Sequence, residues 1–361
     1  MKKLTVQLVT WNGETYIPYL FASLAHQTYT NWELVVLDNA SEDTTLANIR
    51  EAIETHQLKN CQITESPTNS GFAGGHNALF QKTQGEYVLL LNQDMYLMPD
   101  AFENMVQFLD THGDVAAVSP RLMKWDVDSL FSTHTSLENS FTDVVDSLGL
   151  KVFRNRRVIE KYAGKEWSTV KPKMNMSFHA ERFRDEGMAL EVFGVSGAFP
   201  MLRRSSISSV AFSDGTFFDN DYHAYKEDVD LAFRLRSAGY RSFVLLETIA
   251  YHDRSASGQE HLGDIAAAKN KKKQSSWVAY HSYKNHLMTL YKNEYWQNYL
   301  LDVVFIKWYE LKKFGWFLLF ERPVLKGLGE IWSLRKTLKK KRLEIQHKRR
   351  VSWKELRAWW R

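Results

Sequence analysis

The sequence contains few residues that cross-link or stiffen a chain. Its 361 residues include one cysteine, Cys61, and 7 prolines. A single cysteine excludes an intrachain disulfide and suits a reducing compartment. Because Cys61 lies in a short apolar run, we expect it to pack in the interior rather than to act as a nucleophile. No low-complexity tract dominates, which excludes a largely disordered chain.

The sequence also lacks the long apolar runs that mark insertion into a membrane. Its first residues, 1–4, have neither the apolar core nor the cleavage site of a signal peptide. The most apolar long window, 299–320, is interrupted by two acidic residues and three lysines, which disfavours a transmembrane helix. We therefore expect a cytoplasmic protein.

Charge is distributed unevenly along the chain. Hydrophobic residues make up 44% and charged residues 25%, as in globular proteins, and the net charge is +5. Residues 271–361 contain 22 Lys and Arg against 7 Asp and Glu, whereas residues 1–270 contain 25 against 35. The pattern predicts an acidic domain over 1–270, followed by a basic region over 271–361.

The first third of the chain alternates between strand and helix patterns. Strands are expected at 4–9, 32–37, 61–64 and 87–91, with helices at 17–26 and from about 41–44 to 55. This alternation predicts an α/β fold with a Rossmann-like, mostly parallel sheet that helices cover on both faces. Ligands of such sheets bind beyond the carboxyl ends of the strands.

The rest of the chain divides into three parts. After a nucleotide-binding half (1–123), weaker periodicity over 124–189 predicts an insertion of loops and short helices. The second half of the domain, 190–270, is expected to contain strands at 190–195, 199–202, 241–245 and 248–251, and a helix at 227–237 that Gly239 ends. Aromatic-rich, basic helices follow from about 277.

Polar clusters follow four of the predicted strands. They are Thr10-Trp11-Asn12-Gly13-Glu14, Asp38-Asn39-Ala40-Ser41, the segment 69–77 and Asn92-Gln93-Asp94. Since parallel strands end at one edge of their sheet, these clusters should converge there.

Two residues in this pattern suit a divalent cation. Asp94 ends an apolar strand, where its carboxylate would suit Mg²⁺ or Mn²⁺ together with substrate phosphates. His252 follows another predicted strand, and a neutral imidazole would complete the metal shell. The alternatives are a carboxylate that caps a turn and a histidine held by structural hydrogen bonds.

Three acids within four positions open the helix at 227–237. Carboxylates are favoured at a helix N-terminus by capping and by the helix dipole, which explains one of them. A general base for a sugar hydroxyl must be an ionised carboxylate within hydrogen-bond reach. We assign that role to Asp228, with Glu227 positioning it or the acceptor, and expect Asp230 to be structural.

Two further features suit a nucleotide. The three glycines within 71–77 would let the backbone approach a ligand closely, although they fit neither a dinucleotide fingerprint nor a P-loop and serve equally as a turn into a helix beginning near Asn77. Asp38 would accept a hydrogen bond from a pyrimidine ring N–H, or else cap the following helix.

Taken together, these motifs resemble family 2 glycosyltransferases of the GT-A fold, in the bacterial rhamnosyltransferase-like branch. The resemblance extends over roughly residues 4–290 and rests on the order and spacing of the motifs rather than on any one of them. The matching segments are Val9-Thr10-Trp11-Asn12-Gly13, Gln27-Thr28-Tyr29, Val36-Leu37-Asp38-Asn39-Ala40-Ser41, the segment 69–77, Leu91-Asn92-Gln93-Asp94, Gly197-Ala198 and Lys226-Glu227-Asp228-Val229-Asp230-Leu231.

The resemblance implies a role for each motif. Asn92-Gln93-Asp94 stands where the family has its metal-binding DXD motif, with Asn92 replacing the first acid, so Asp94 and His252 would hold the cation. Asp228 matches the catalytic base. The residues implied at the nucleotide are Thr10, Asn12, Glu14 and Asp38 at the base and ribose, Gly71 and Asn77 in the nucleotide loop, and Asn92.

The implied reaction is a single in-line displacement that inverts the anomeric carbon. The implied donor is deoxythymidine-diphosphate rhamnose, with a uridine-diphosphate hexose or galactofuranose as the alternative. The acceptor would be a lipid-linked saccharide in surface polysaccharide synthesis, bound in a groove shaped by 124–188 and 196–198. A non-catalytic nucleotide- or glycan-binding module remains an alternative because of Asn92, and a dinucleotide-binding dehydrogenase is disfavoured because the fingerprint is missing.

The basic region interleaves Lys and Arg with aromatic residues. This composition suits the headgroup layer of an anionic membrane and predicts peripheral attachment at the inner face of the cell membrane. The alternatives are a helical subdomain with solvated lysines, a homo-oligomer interface and, less favoured, nucleic-acid binding at 339–342 and 348–350. The aromatic residues are Trp277, Tyr280, Tyr283, Trp296, Tyr299, Trp308, Trp316, Trp332, Trp353, Trp359 and Trp360.

Overall fold

The computed structural model of the protein describes residues 2–132, 136–177, 189–254 and 275–360. The boundary predicted at 270/271 lies outside the described residues. The strands are β1 (Leu4–Thr10), β2 (Trp32–Asp38), β3 (Cys61–Glu65), β4 (Tyr87–Leu91), β5 (Met95–Leu97), β6 (Val115–Trp125), β7 (Phe141–Ser147), β8 (Leu150–Val152), β9 (Val158–Glu160), β10 (Ala189–Val192), β11 (Met201–Arg203) and β12 (Arg241–His252).

Helices connect these strands and form the C-terminal region. They are α1 (Ile17–Ala25), α2 (Thr45–Thr55), α3 (Gly71–Lys82), α4 (Ala101–Thr111), α5 (Val127–Ser132), α6 (Trp167–Ser177), α7 (Arg204–Val210), α8 (Glu227–Ser237), α9 (Ser276–Asn293), α10 (Trp296–Phe320), α11 (Lys326–Ser333), α12 (Arg335–Lys348) and α13 (Trp353–Arg357).

One large sheet organises the chain. Its main path runs β10-β12-β6-β11-β4-β1-β2-β3, and β5 and β7 add to β12 and β6. Six of these eight strands point in one direction, and only β10 and β11 oppose them. This confirms the predicted mostly parallel α/β sheet and sets the carboxyl ends of β1, β2, β4, β6 and β12 at one edge.

Alternating side chains of the strands supply a core on each face of the sheet. In β4, Leu89 and Leu91 pack with Phe21 of α1 and Phe102 of α4, whereas Val88 and Leu90 pack with residues of α3, α7 and α8. All are buried, so the central strand reads as a continuous apolar run rather than an alternating one. Cys61 is half-buried beside the first of these cores, in agreement with a packing role.

The structure differs from the sequence predictions in three places. Helix α3 begins at Gly71, not near Asn77, so the glycine-rich segment forms the first turn of the helix. The predicted strands at 241–245 and 248–251 form one strand, β12, because a register shift between Leu245 and Ile249 absorbs the intervening residues. The segment 124–189 was expected to hold loops and short helices, but it contributes β7 to the main sheet and forms the hairpin β8-β9.

Buried ion pairs join the C-terminal helices to the segment that precedes α8. Lys292 of α9 is fully buried, and its ammonium contacts the carboxylates of Asp219 and, at 3.0 Å, Asp230. Lys341 of α12 lies 2.5 Å from Asp219 and 2.8 Å from Asp221. Removing one member of such a set leaves an uncompensated buried charge, so these contacts hold α9 and α12 in place. Asp230 is structural, as expected.

Some aromatic side chains of the basic region are buried. The side chains of Tyr283 and Trp360 are buried in hydrophobic clusters, which corrects their assignment to a membrane-facing set. Among the described residues, no helix is both long enough and apolar enough to cross a bilayer.

A cluster of three arginines fixes α10. The carboxylate of Asp302 is fully buried and contacts Arg154 at 2.6 Å, Arg156 at 3.0 Å and Arg357 at 2.5 Å. Burial disfavours the charged carboxylate, but the hydrogen bonds from Arg357, Arg154 and Arg156 outweigh it and lower the pKa of Asp302 to about 2.

Replacing Asp302 with Asn should lower the free energy of unfolding at pH 7 by roughly 3–5 kcal/mol, because buried Arg156 would keep only part of its compensation. The folded-state pKa lies below the unfolded value, so the wild type should lose this stability as pH falls from about 4 to about 2. Urea unfolding at pH 7 and pH 3 measures both effects. Glu51→Gln, at an exposed position of α2, is the matched control, and an equal loss in the two variants would contradict the assignment.

Candidate active site

The polar clusters at the strand ends do meet. The Asn39 amide, after β2, donates to the Asn69 side-chain oxygen at 3.0 Å and to the Gly71 carbonyl at 3.2 Å. The Gln93 amide, after β4, pairs with both the backbone N–H and the carbonyl of Trp11, at 3.0 Å each. The segments after β1, β2, β3 and β4 therefore form one continuous edge. Sequence reasoning gave no role to Asn39 or Gln93, since each is one amide in a polar run.

The Asp38 carboxylate is engaged within this edge. It accepts hydrogen bonds from the Thr10 hydroxyl at 3.2 Å, the Ser41 hydroxyl at 2.6 Å and the Ser41 N–H at 3.1 Å. Both Thr10 and Asp38 are buried. These contacts stabilise the turn after β2. Helix α2 begins at Thr45 without a side-chain cap, so the helix-capping alternative for Asp38 is not realised, and contact of Thr10 and Asp38 with a nucleotide stays a prediction.

Asn12 and Glu14 tie the loop after β1 to the start of α2. The Asn12 side-chain oxygen accepts from the Glu42 N–H at 2.8 Å, and the Glu14 carboxylate accepts from the N–H and hydroxyl of Thr44 at 3.1 and 2.6 Å. Both side chains are exposed at the sheet edge. That position is compatible with the predicted base and ribose contacts, which no contact in the structure tests.

Gly71 and Asn77 shape the neighbouring backbone. Gly71 has a φ of +74°, and a Cβ there would collide with the carbonyl and ring of His223. The Asn77 amide oxygen accepts from the N–H groups of Phe217 and Phe218 at 3.1 and 3.0 Å, and its nitrogen donates to Asn220 at 2.7 Å. Asn77 is buried, so the structure gives it a role in holding 217–220; its predicted contribution to the nucleotide loop is untested.

Asp94 and His252 lie side by side, as predicted. Antiparallel pairing of β5 with β12 sets Met95 opposite His252 and brings the imidazole Nε2 to 3.3 Å from the Asp94 carboxylate. The other ring nitrogen, Nδ1, lies 2.9 Å from the carboxylate of Asp146 on β7. Burial disfavours protonation, but the charges of Asp94 and Asp146 outweigh it and raise the pKa of His252 to about 10.

Asp94 and His252 would hold a divalent cation that substrate also holds. The imidazole would release its proton on binding, because only neutral histidine ligates a metal and the cation replaces the positive charge beside Asp94. Among the residues that the structure describes, no group of three or more His, Cys, Asp or Glu side chains forms a complete protein cage. Mg²⁺ and Mn²⁺ sites with one or two protein ligands and several phosphate or water oxygens are common in phosphate chemistry. A carboxylate on the far nitrogen of the imidazole, as Asp146 provides, is the usual support for a metal-binding histidine.

Arg254 continues the cluster toward the other half of the sheet. Its guanidinium contacts Asp146 at 3.1 Å and Glu160 of β9 at 3.3 Å. Burial opposes the charge of Arg254, but Asp146, Glu160 and, more weakly, Asp228 raise its pKa. Sequence reasoning missed Asp146 and Glu160 because they lie in a segment without clear periodicity.

Asp228 belongs to the same site as Asp94. Its carboxylate accepts from the Gly197 N–H at 3.2 Å, and the adjacent Ala198 carbonyl accepts from the Asn92 N–H at 3.0 Å. Asp228 also contributes to raising the pKa of Glu160 and the pKa of Arg254. The acids at 94 and 228, far apart along the chain, are thus connected through short contacts on one side of the sheet.

Glu227 differs from its neighbour. It is buried, and its Oε2 atom has no hydrogen-bond partner in the described part of the chain. Burial and, secondarily, the charge of Asp228 raise the pKa of Glu227 to about 8. Glu227 is therefore mostly neutral at pH 7, which leaves half-buried Asp228 as the carboxylate with access to a proton.

A strained turn leads into these two acids. His223, Tyr225 and Lys226 have φ values of 61°, 69° and 71°, a region that residues other than glycine rarely adopt. The buried Asn285 of α9 holds the turn, because its amide nitrogen lies 3.0, 2.8 and 2.7 Å from the carbonyls of Tyr222, Ala224 and Tyr225. Nothing in the sequence identifies this residue.

Replacing Asn285 with Ala should release the turn and lower the free energy of unfolding by roughly 1–3 kcal/mol for each carbonyl left dry. Urea unfolding followed by tryptophan fluorescence measures the change. Gln107→Ala, an amide lost from an exposed position of α4, should cost no more than about 0.5 kcal/mol. A similar loss in both variants would remove the special role of Asn285.

Comparison with known proteins agrees with this geometry. Over 116 residues the chain is 34% identical to the poly(ribitol-phosphate) beta-N-acetylglucosaminyltransferase TarS of Staphylococcus aureus (strain Mu50), covering 31% of this chain and 20% of TarS. The chain spans less than half the length of the curated relatives it matches.

Two solved structures share the fold. GalNAc-T7 with UDP, GalNAc and Mn²⁺ superposes with a TM-score of 0.57 at 9% identity, covering 81% of this chain and 48% of that one. The mannosyltransferase PcManGT of Pyrobaculum calidifontis, with GDP-Man and Mn²⁺, gives 0.50 at 15% identity, covering 96% and 86%. The GT-A fold is thereby confirmed. The family described as glycosyl transferase family 2 matches residues 5–209, more than half of the chain, and the protein belongs to that family.

Proposed function

We propose that this chain is an inverting glycosyltransferase in which Asp228 is the catalytic base. The observation that carries the proposal is the contrast within the acidic pair that opens α8. Glu227 is buried with a raised pKa, whereas half-buried Asp228 accepts a hydrogen bond from the Gly197 N–H, beside the Ala198 carbonyl that accepts from the Asn92 N–H. A base must lie within hydrogen-bond reach of the acceptor hydroxyl, and half-buried Asp228 is the more accessible carboxyl group of the pair.

The transfer is one displacement. Asp228 accepts the proton of an acceptor hydroxyl while that oxygen forms a bond to the anomeric carbon of the donor. The bond from the anomeric carbon to the diphosphate oxygen breaks on the opposite face, and the nucleoside diphosphate leaves with the bonding electrons. A single displacement inverts the anomeric carbon, and it needs no second carboxylate as a nucleophile.

Asp94 and His252 are the residues that would hold a divalent cation, Mg²⁺ or Mn²⁺. When bound, the cation neutralises charge that develops on the diphosphate. Two of the structural neighbours carry Mn²⁺ in their own sites, which supports the same class of ion here. The nucleotide would lie along the edge formed by Thr10, Asn12, Glu14, Asp38, Gly71, Asn77 and Asn92.

For the donor we propose a pyrimidine nucleoside-diphosphate sugar. Deoxythymidine-diphosphate rhamnose rests on the motif resemblance alone. A uridine-diphosphate sugar is favoured by the similarity to TarS, a beta-N-acetylglucosaminyltransferase, and by the UDP in GalNAc-T7. For the acceptor we propose a lipid-linked saccharide in the synthesis of a cell-surface polysaccharide, since TarS is named for transfer to poly(ribitol-phosphate).

Replacing Asp228 with Asn should lower kcat by at least about 100-fold, within the range by which general bases accelerate proton transfer, and leave donor affinity unchanged. Glu227→Gln, a matched loss of a carboxylate that is already mostly neutral, should retain most of the activity. Release of free nucleotide measures kcat, and calorimetry measures donor binding. Equal activity of Asp228→Asn and the wild type would reject the base assignment.

A screen of nucleotide sugars, each with and without Mn²⁺ or Mg²⁺, tests the donor and the ion together. Turnover should require the cation, and Asp94→Ala should raise the cation concentration needed for half-maximal rate by at least about 10-fold. Asp100→Ala, at an exposed position after β5, is the control. Donor binding without turnover, for every sugar and acceptor tried, would favour the alternative of a non-catalytic binding module that the Asn92 substitution leaves open.

A further inference from the structure

The longest helix of the protein leaves one side uncovered. Within α10, Val304 is 73% exposed and Leu319 is 72% exposed. We define the outer face of α10 as its exposed large apolar residues: Trp296, Leu300, Leu301, Val304, Phe305, Trp308, Leu311, Phe314, Leu318, Leu319 and Phe320. Isolated exposed apolar residues are ordinary, but a contiguous face of this size marks an interaction surface.

The outer face belongs to a helix that is firmly seated on its other side. Asp302 and Ile306 are buried, with Asp302 in the arginine cluster described above. Farther along, Phe317 packs with Tyr283 and Val324. Helix α10 is therefore already packed against the rest of the protein, and the outer face stays exposed despite that packing.

The charge around the outer face is of one sign. Within 296–343 the acidic side chains, at 302, 310, 321 and 330, are buried or half-buried. Lys307 and Lys312 of α10 lie, at about 100° per residue, near the two edges of the apolar face. The exposed charged residues of this segment are Lys307, Lys312, Arg322, Lys326, Arg335, Lys336, Lys339 and Lys340.

We propose that the outer face of α10 lies flat in the headgroup layer of an anionic lipid bilayer. Apolar side chains would enter the acyl boundary, while lysines at the edges extend to lipid phosphates. Three exposed tryptophans, at 296, 308 and 332, have the ring type that prefers this layer. The helix contains too many charges to span the membrane, so it binds in the plane of the surface.

The positive charge that borders the outer face of α10 disfavours a second copy of the chain as the partner that covers this face. In a two-fold dimer the same patch meets itself, so the lysines that border the outer face would oppose lysines of the partner. Like charges set against each other across an interface are unfavourable. An anionic lipid surface instead complements them.

The proposal is independent of sugar transfer and is tested without it. The full chain is sedimented with vesicles of phosphatidylcholine alone and of phosphatidylcholine with 30% phosphatidylglycerol (about one lipid in three, enough to give a negative surface). The wild type should bind the anionic vesicles, and bind them more weakly at high salt. The double variant Val304→Glu/Leu311→Glu should lower the partition coefficient at least 10-fold, whereas Phe131→Glu, at another exposed apolar position, on α5, should not.

Two further measurements separate the outcomes. Asp228→Asn should bind vesicles like the wild type, so a failure of the catalytic proposal leaves this one standing. Circular dichroism and thermal unfolding show whether the double variant is folded, and Lys336→Glu/Lys339→Glu should weaken binding without altering the apolar face. The proposal would be overturned if the wild type failed to sediment with anionic vesicles. It would also be overturned if sedimentation velocity showed a wild-type dimer that dissociates in the double variant Val304→Glu/Leu311→Glu and in no other variant.

Discussion

Negative charge gathered at one edge of the sheet is the constraint around which this protein is arranged. Asp94, Asp146, Glu160 and Asp228 come from four different elements and would repel one another if nothing intervened. Three of them, Asp94, Asp146 and Glu160, alternate in a chain of ion pairs with the imidazole of His252, the last residue of β12, and with the guanidinium of Arg254. A diphosphate is itself an anion, so these acids would disfavour it on its own. The proposed cation would offset that repulsion and hold a bound diphosphate at this edge.

The C-terminal helices hold α8, the helix that carries the proposed base, in position. The turn before α8 is strained, and the groups that stabilise it lie 60 or more residues later in the chain, on α9. Asp219 and Asp230, on either side of that turn, share Lys292. Strain of this kind persists only when its surroundings determine it from several directions. The basic helices thus act as a scaffold, and the outward side of α10 is exposed in the described part of the chain.

The features that could be predicted from the sequence are those that depend on residues close together along the chain. The bounds of β4 and α8 follow from local apolar periodicity and were predicted to the residue, and the adjacency of Asp94 and His252 follows from both ending strands of one sheet. Asp146 and Asn285 were missed because their roles come from contacts with residues about 60 to 106 positions away. The start of α3 was misplaced because glycines normally end helices, whereas here Gly71 permits close packing against His223 and Gly75 against Val9 and Leu37.

The buried position of Lys292 sets a lower limit on the length of a fragment of this chain that could fold on its own. The stretch that matches the family ends at residue 209, before α8 and the whole C-terminal scaffold. A fragment that ended between α8 and α9 would keep Asp219 and Asp230 in the interior but would lose the Lys292 ammonium that lies between them. Asp219 would then lose both of its ammonium partners, and Asp230 would keep only Arg234, next to the turn that leads into the proposed base. A folding unit that contains α8 therefore has to extend at least to Lys292 in α9, well beyond the segment that matches the family, and this border is set by ion pairs.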